Sequence, residues 1–169
     1  MNEDTTMAKK ILTQEYLHTL FEYKDGILYW KKAKEKVTVG NNAGCISNTG
    51  YLCVGIDRTP FLNHRVIFMM HKGYMPTMID HIDGNKLNNK IENLRETTRG
   101  QNRMNSKLQS NNISGAKNVN WNKKHKKWYV QLSAEGKKLY FGSYFDLNVA
   151  RFVAETMRHK YHKQFSRSV

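Results

Sequence analysis

Ile79-Asp80-His81-Ile82-Asp83-Gly84-Asn85, continuing through Lys86-Leu87-Asn88-Asn89-Lys90-Ile91 to Glu92-Asn93-Leu94-Arg95 and on to Asn105, is the stretch around which the chain is organised. Pro76 forces an extended approach into it, because proline fixes its own φ and restricts the residue before it. Residues 79–82 then read as a strand and Asp83-Gly84-Asn85 as a tight turn. Residues 87–91, polar at Asn88-Asn89, form a loop that returns to a second short strand at Asn93-Leu94-Arg95. Thr98 can cap a helix from about Arg99 to Ser106. The stretch is expected to fold as strand, loop, strand, helix.

Hydrolysis of a phosphodiester needs an activated water, a cation at the scissile phosphate and a stabilised leaving oxygen. Asp80 offers a hard anionic oxygen suited to Mg²⁺ or Mn²⁺. Histidine titrates at ~6.5 in model peptides, close to working pH, which makes His81 the candidate general base. Adjacent strand residues point to opposite faces. Both can therefore meet one phosphate only where the strand ends or bends, as the turn at Asp83-Gly84 allows. Asn102, on the expected helix, would bring a neutral oxygen ligand to the same cation, and the Asn93 amide could clamp the loop and fix the His81 ring. Asp83 and Asn85 read as turn formers rather than ligands, and Asn88 and Asn89 as loop formers.

Upstream, residues 1–10 read as a disordered tail. Thr13 is an N-cap, and Tyr16, Leu17, Leu20 and Phe21 make one apolar helical face that should stop near Tyr23. Lys24-Asp25-Gly26 is turn chemistry, and Ile27 to Trp30 is a short strand. The basic segment Lys31 to Lys36 and a Gly-Asn loop lead to a second strand over 50–56. Residues 11–60 thus form a small mixed unit with little core of its own, expected to pack on a unit at 61–106. His64 to His71 reads as a buried helix ending at Lys72-Gly73. Both histidines read as hydrogen-bonded structural groups. Arg65 leaves two readings open: a phosphate or leaving-group contact, and a structural ion pair.

Downstream, the polar residues 107–113 make the best linker. Beyond it the composition shifts: residues 106–169 hold 13 basic and 3 acidic side chains, residues 1–105 hold 15 and 11. Most of the positive excess therefore belongs to a distinct module at 114–169, read as three strands (119–121, 128–132, 138–141) and a helix from Leu147 to about Tyr161. Trp128, Val130, Leu132, Leu139 and Phe141 face inward. Val149, Ala150, Val153, Ala154 and Met157 are expected to lie on the helix face that covers them. Trp121 and Trp128 read as core. The other sheet face, with Tyr129, Gln131, Ser133, Lys138 and Tyr140, is left uncovered, as a β-ribbon reader of a major groove requires. The basic turn at Asn122 to Lys126 adds Lys123 and Lys124 as DNA contacts, with His125 beside them.

The whole chain of 169 residues carries 28 Lys and Arg against 14 Asp and Glu, a formal charge of +14. Such an excess favours a polyanionic partner, because basic side chains on phosphates release counterions. Cys45 and Cys53 form no CxxC pair, and the histidines show no zinc-finger spacing, so no structural zinc is expected. The acidic, polar N-terminus lacks the features of a secretory signal. No apolar run approaches the ~20 residues of a membrane span. The expectation is a soluble, cytoplasmic protein without a small-molecule cofactor.

The central stretch resembles the HNH endonucleases, specifically the phage and intron-encoded homing type with a ββα-metal core. The matching pattern is Asp80-His81, Asn93 twelve residues after His81 and Asn102 nine residues after Asn93, with Ile82 to Asn85, Asn88-Asn89 and Glu92 to Arg95 between. The resemblance implies His81 as general base, Asn93 as its orienting residue, and Asp80 and Asn102 as ligands of one divalent ion. Asn102 stands where the family more often has His, a departure that occurs within the homing branch. Trp30, Gly50-Tyr51 and Asn63-His64-Arg65 look like the N-terminal portion of such phage proteins. Ser114 to about Phe165 is similar to the ethylene-response-factor (APETALA-type) DNA-binding domain, in Val119, Trp121, Lys127-Trp128, Phe141-Gly142 and the Ala-rich helix. That resemblance implies DNA contacts from Lys117, Asn120, Gln131, Ser133, Lys138 and Tyr140, with Asn118 where a Gly is usual.

These readings lead to one expectation. The chain is α+β, with a small mixed N-terminal unit (11–60), a ββα-metal core (61–106), a linker (107–113) and a three-stranded antiparallel sheet with a helix (114–169). It acts as a site-specific DNA endonuclease on double-stranded DNA, in a phage-infected bacterial cell, with one Mg²⁺ or Mn²⁺ per site. The rival is a DNA-binding regulator whose core has lost activity. Monomer or DNA-bound dimer, and nick or double-strand break, stay open.

Overall fold

The computed structural model describes residues 12–33 and 37–166. The expected tail at residues 1–10 lies outside them, as do residues 34–36 of the basic segment. The chain is a mixed α+β protein of short helices and small sheets. It divides into two compact units: residues up to His81 with Asn85–Arg95, and Ile82–Gly84 with everything from Glu96 onward. The expected ββα stretch is thus shared out, its strands to the first unit and its helix to the second.

In the first unit, α1 (Gln14–Leu20) starts where the Thr13 side chain accepts from the Tyr16 N–H. It ends earlier than the sequence suggests. Phe21 is already extended and opens β1 (Phe21–Lys24), which pairs antiparallel with β2 (Ile27–Trp30). Asp25 (φ 50°) and Gly26 (φ 88°) close this hairpin with both central residues left-handed, the twist that suits a two-residue connection. A second sheet has the order β3 (Cys45–Ile46), β4 (Leu52–Ile56), β5 (Thr59–Leu62). The helix α2 (Asn63–Lys72) follows and stops at Gly73 (φ 77°), whose N–H bonds the Met69 carbonyl. The pair β6 (Ile79–His81) and β7 (Leu94–Glu96) completes the unit. Leu17, Phe21, Leu28, Val54, Ile56, Val66, Ile67 and Met70 are almost wholly buried in one core, which Ile79 and Leu94 join. Residues upstream of 60 therefore share their core with α2, β6 and β7. Burial of such side chains contributes roughly 1.5–3 kcal/mol each.

The second unit holds α3 (Arg99–Asn105), closed at its start by a reciprocal pair: Thr98 accepts from the Gln101 N–H and Gln101 from the Thr98 N–H. The sheet β10-β9-β8 is built from β8 (Val119–Asn122), β9 (Lys127–Ala134) and β10 (Lys137–Tyr144). The helix α4 (Leu147–His162) is capped by Asp146, and a 3-10 turn at Lys163–Phe165 follows. That turn neighbours α3. Val119, Val130, Leu132, Ala150 and Ala154 form the core, and the small alanines let α4 approach the sheet. Val149 is a correction to the expected helix face: it is 47% exposed, because one residue before Ala150 lies about 100° round the helix. No regular element spans 106–118, yet Ser114 is fully buried, its hydroxyl bonding Ala116 and Val119 carbonyls. Asn118 has φ 69°, a left-handed conformation that Asn tolerates.

Candidate active site

His81 ends β6 and is 5% exposed. Its Nε2 lies 2.9 Å from Asn89 Oδ1. With an amide oxygen facing it, Nε2 carries the proton, and the lone pair falls on Nδ1. Two rings pack beside the imidazole and against each other. His64 meets His81 edge-on with centroids 5.0 Å apart, Tyr51 lies 6.0 Å from His81, and Tyr51 and His64 are 5.3 Å apart. Lys86 Nζ sits 4.6 Å above the Tyr51 ring and donates to the Thr49 carbonyl.

The loop between β6 and β7 is wound by its own amides. Asn85 Oδ1 accepts from the Leu87 N–H at 3.1 Å, as a turn former does. Asn93 Nδ2 donates to the Asn88 carbonyl at 2.8 Å, a bond that clamps the loop, while the oxygen at His81 Nε2 belongs to Asn89. Asn89 is 1% exposed, and its Nδ2 is buried without a partner among the described residues.

The loop is braced from the N-terminal hairpin. Tyr23 Oη accepts from the Ile91 N–H at 3.0 Å. Gly26 lies so close that an added Cβ would stand 2.8 Å from Lys90 N and 3.0 Å from the Asn89 carbonyl carbon. The β1–β2 turn thus rests on the backbone that carries Asn89.

Asp80 is 6% exposed and ion-paired with Arg95, whose Nε (3.0 Å) and Nη2 (2.7 Å) both donate to Oδ2. Burial drives the His64 pKa down to about 3, with electrostatic coupling to His81 and Arg65 acting in the same direction. His64 is therefore neutral beside His81. The Arg65 guanidinium donates to the Pro76 (2.9 Å) and Thr77 (3.4 Å) carbonyls. Pinning Pro76 and Thr77 fixes the approach into β6. His71 Nδ1 bonds the Ile67 carbonyl of its own helix.

Asp80, His81 and Asn93 all lie in the β6–β7 stretch of the first unit, and Asn102 is exposed on α3 of the second. Among the described residues, no three His, Cys, Asp or Glu side chains gather as a metal cluster. One carboxylate with neutral oxygens nonetheless suits Mg²⁺, which keeps several waters and takes phosphate oxygens. Asn89 and Arg95 reach His81 and Asp80 by packing across the loop, contacts that no local sequence signal marks.

In the second unit the sheet pairs Asn120 with Tyr129, Gln131 with Tyr140, and Ser133 with Lys138. These six side chains share the face opposite Val130 and Leu132. Lys123 and Lys124 are exposed in the β8–β9 turn, and Lys117 is half-buried just before β8. Trp121 and Trp128 pair in register with rings 4.8 Å apart.

Residues 61–104 match the HNH endonuclease family, a match that supports an HNH-type nuclease. The chain is 41% identical to Protein 3.8 of Escherichia phage T7 over 96 residues, which span 57% of this chain and 76% of that protein. It belongs to the family of that phage protein. No solved structure matches the chain. No helix among the described residues is long and apolar enough to cross a membrane.

Proposed function

We propose that the chain is a metal-dependent endonuclease of double-stranded DNA, of the HNH homing type, acting in the cytoplasm of a phage-infected bacterial cell. The observation that carries this reading is the buried His81, with Nε2 bonded to Asn89 and Asp80 next to it, inside the stretch that matches the HNH endonuclease family. Asp80 would hold one Mg²⁺ or Mn²⁺, with Asn102 assigned as second protein ligand by its spacing from Asn93. Bound there, the ion supplies Lewis acidity at the scissile phosphate and the leaving oxygen. His81 Nδ1 takes the proton of the attacking water, and the Asn89 oxygen holds the opposite N–H as the imidazolium forms. The phosphorus–O3′ bond breaks, leaving 5′-phosphate and 3′-hydroxyl ends. Asn93 keeps the loop closed.

The sheet of the second unit is assigned the role of an ethylene-response-factor-like reader, laid in the major groove by Asn120, Gln131, Ser133, Lys138 and Tyr140. Lys117, Lys123 and Lys124 would meet phosphates. Supercoiled plasmid carrying phage DNA, incubated with Mg²⁺ or EDTA beside His81→Ala, tests the reading. Open-circle or linear product only with Mg²⁺ and intact His81 is expected, since a general base is worth about 10²–10⁴-fold.

A second reading, a DNA-binding regulator without cleavage, is favoured by the Arg95–Asp80 pair, in which the one candidate carboxylate already has a cation. It predicts a salt-sensitive gel shift and no product in Mg²⁺ or Mn²⁺.

A further inference from the structure

A guanidinium commonly spreads its two donors over both oxygens of a carboxylate. Arg95 donates to Oδ2 of Asp80 from both Nε and Nη2. Both side chains are largely withdrawn from water, at 14% exposure for Arg95 and 7% for Asp80. In that setting the pair is screened little by salt, and removing one partner leaves the other as an unmatched buried charge. The two residues are held by adjacent strands, so Arg95 is a fixed neighbour rather than a surface side chain that happens to reach over.

We propose that Arg95 is the resident counter-cation of Asp80 and competes with the divalent ion for it. This rests on the reading of Asp80 as the metal-holding carboxylate. A divalent ion brought to Asp80 meets the fixed positive charge of Arg95 within a few ångströms, and loading must loosen or redirect the guanidinium. Arg95 therefore sets the concentration of divalent ion at which the site fills. Without that ion it holds the carboxylate in place. Arg95 is a positioning residue, acting through Asp80.

Binding of Mn²⁺ to the full-length chain, followed by the electron-paramagnetic-resonance signal of free Mn²⁺, tests this without DNA. Four proteins are compared: wild type, Arg95→Gln, Arg95→Lys and Asp80→Asn. Arg95→Gln should lower the Mn²⁺ dissociation constant by about tenfold, a change of about 1.4 kcal/mol. Arg95→Lys keeps a charge on a mobile stem and should fall between it and wild type. Asp80→Asn should abolish the site. An Arg95→Gln constant equal to or weaker than wild type, with the site still lost in Asp80→Asn, overturns the competition and leaves the metal reading standing. Equal Mn²⁺ binding by Asp80→Asn and wild type, or none by any protein, overturns the metal reading and the inference with it. If circular dichroism shows Arg95→Gln unfolded, Arg95→Lys decides: tighter binding than wild type supports competition, and unchanged binding overturns it.

Discussion

His81 Nε2 and Asn89 Oδ1 lie 2.9 Å apart, both residues almost wholly buried, and this bond fixes which imidazole nitrogen is basic. An Asn89→Ala protein loses the acceptor, leaves Nε2 buried without it, and lets the ring choose its own tautomer. Single-turnover cleavage should fall about 10- to 10²-fold, within the range of a misplaced general base, while DNA affinity stays put. Cleavage at the wild-type rate would remove Asn89 from the mechanism.

His64 gives a pH dependence with a definite sign. Its pKa is near 3 in the fold, against an ordinary histidine value of 6.5. Below 6.5 the unfolded chain takes up a proton that the folded chain refuses. The stability contribution is therefore intact above 6.5 and lost as pH falls from 6.5 toward 3, by up to about 1.4 kcal/mol per pH unit. His162, also held below its ordinary pKa by burial, adds in the same direction. Urea unfolding of wild type and His64→Phe at pH 7 and pH 4.5 checks the sign. The wild type should lose more stability between those two values than the variant; equal losses would show that His64 does not carry it.

Gly26 and Gly136 separate backbone strain from contact. Both occupy left-handed positions of two-residue hairpin turns, at φ 88° and 75°. An alanine at either costs on the order of 1–2 kcal/mol from conformation alone. A Cβ at Gly136 meets nothing within 4 Å, whereas at Gly26 it presses on Lys90 and Asn89. Gly26→Ala should therefore lower both the melting temperature and the cleavage rate. Gly136→Ala should lower the melting temperature and leave the single-turnover rate within about twofold, as expected when the cost is local. Equal rates in the two variants would show that the hairpin does not brace the loop.

Legibility in the sequence followed the strength of the local signal. The capping box at Thr98, the helix ending at Gly73 and the alternation through Trp128 to Leu132 each carry a local physical reason, and those elements stand where they were expected. β5 carries no local signal, because the turn before it is Asp57-Arg58, both at positive φ without a glycine to announce it. α1 stops short of Tyr23 because Phe21, which fits the helical apolar face, is taken by the pairing with Trp30. At the site, Asp80, His81, Asn93 and Asn102 are marked by spacing. Asn89 is one of two adjacent asparagines in a polar loop, and nothing local distinguishes the buried one. The partnership of Arg95 with Asp80 depends on two strands fifteen residues apart coming side by side.

The sheet face of the second unit predicts two separable effects on DNA. The 3-10 turn at Lys163–Phe165 neighbours α3, so deleting the residues beyond Ser106 would also disturb α3. Point variants avoid that. Lys123 and Lys124 are exposed and lie outside the paired strands. As phosphate contacts, each neutralised charge contributes about 0.9 to the slope of log affinity against log salt. The double variant Lys123→Ala, Lys124→Ala should flatten that slope by nearly two and weaken all duplexes alike. Gln131 sits opposite Tyr140 in the middle of the face. If it meets a base edge, Gln131→Ala should cost about 1–3 kcal/mol on the preferred site and little on unrelated duplex, with the salt slope unchanged. Competition binding across a salt series reads both quantities at once. An unchanged slope in the double lysine variant would move the phosphate contacts elsewhere. Equal losses on preferred and unrelated DNA in Gln131→Ala would show that this face does not read sequence.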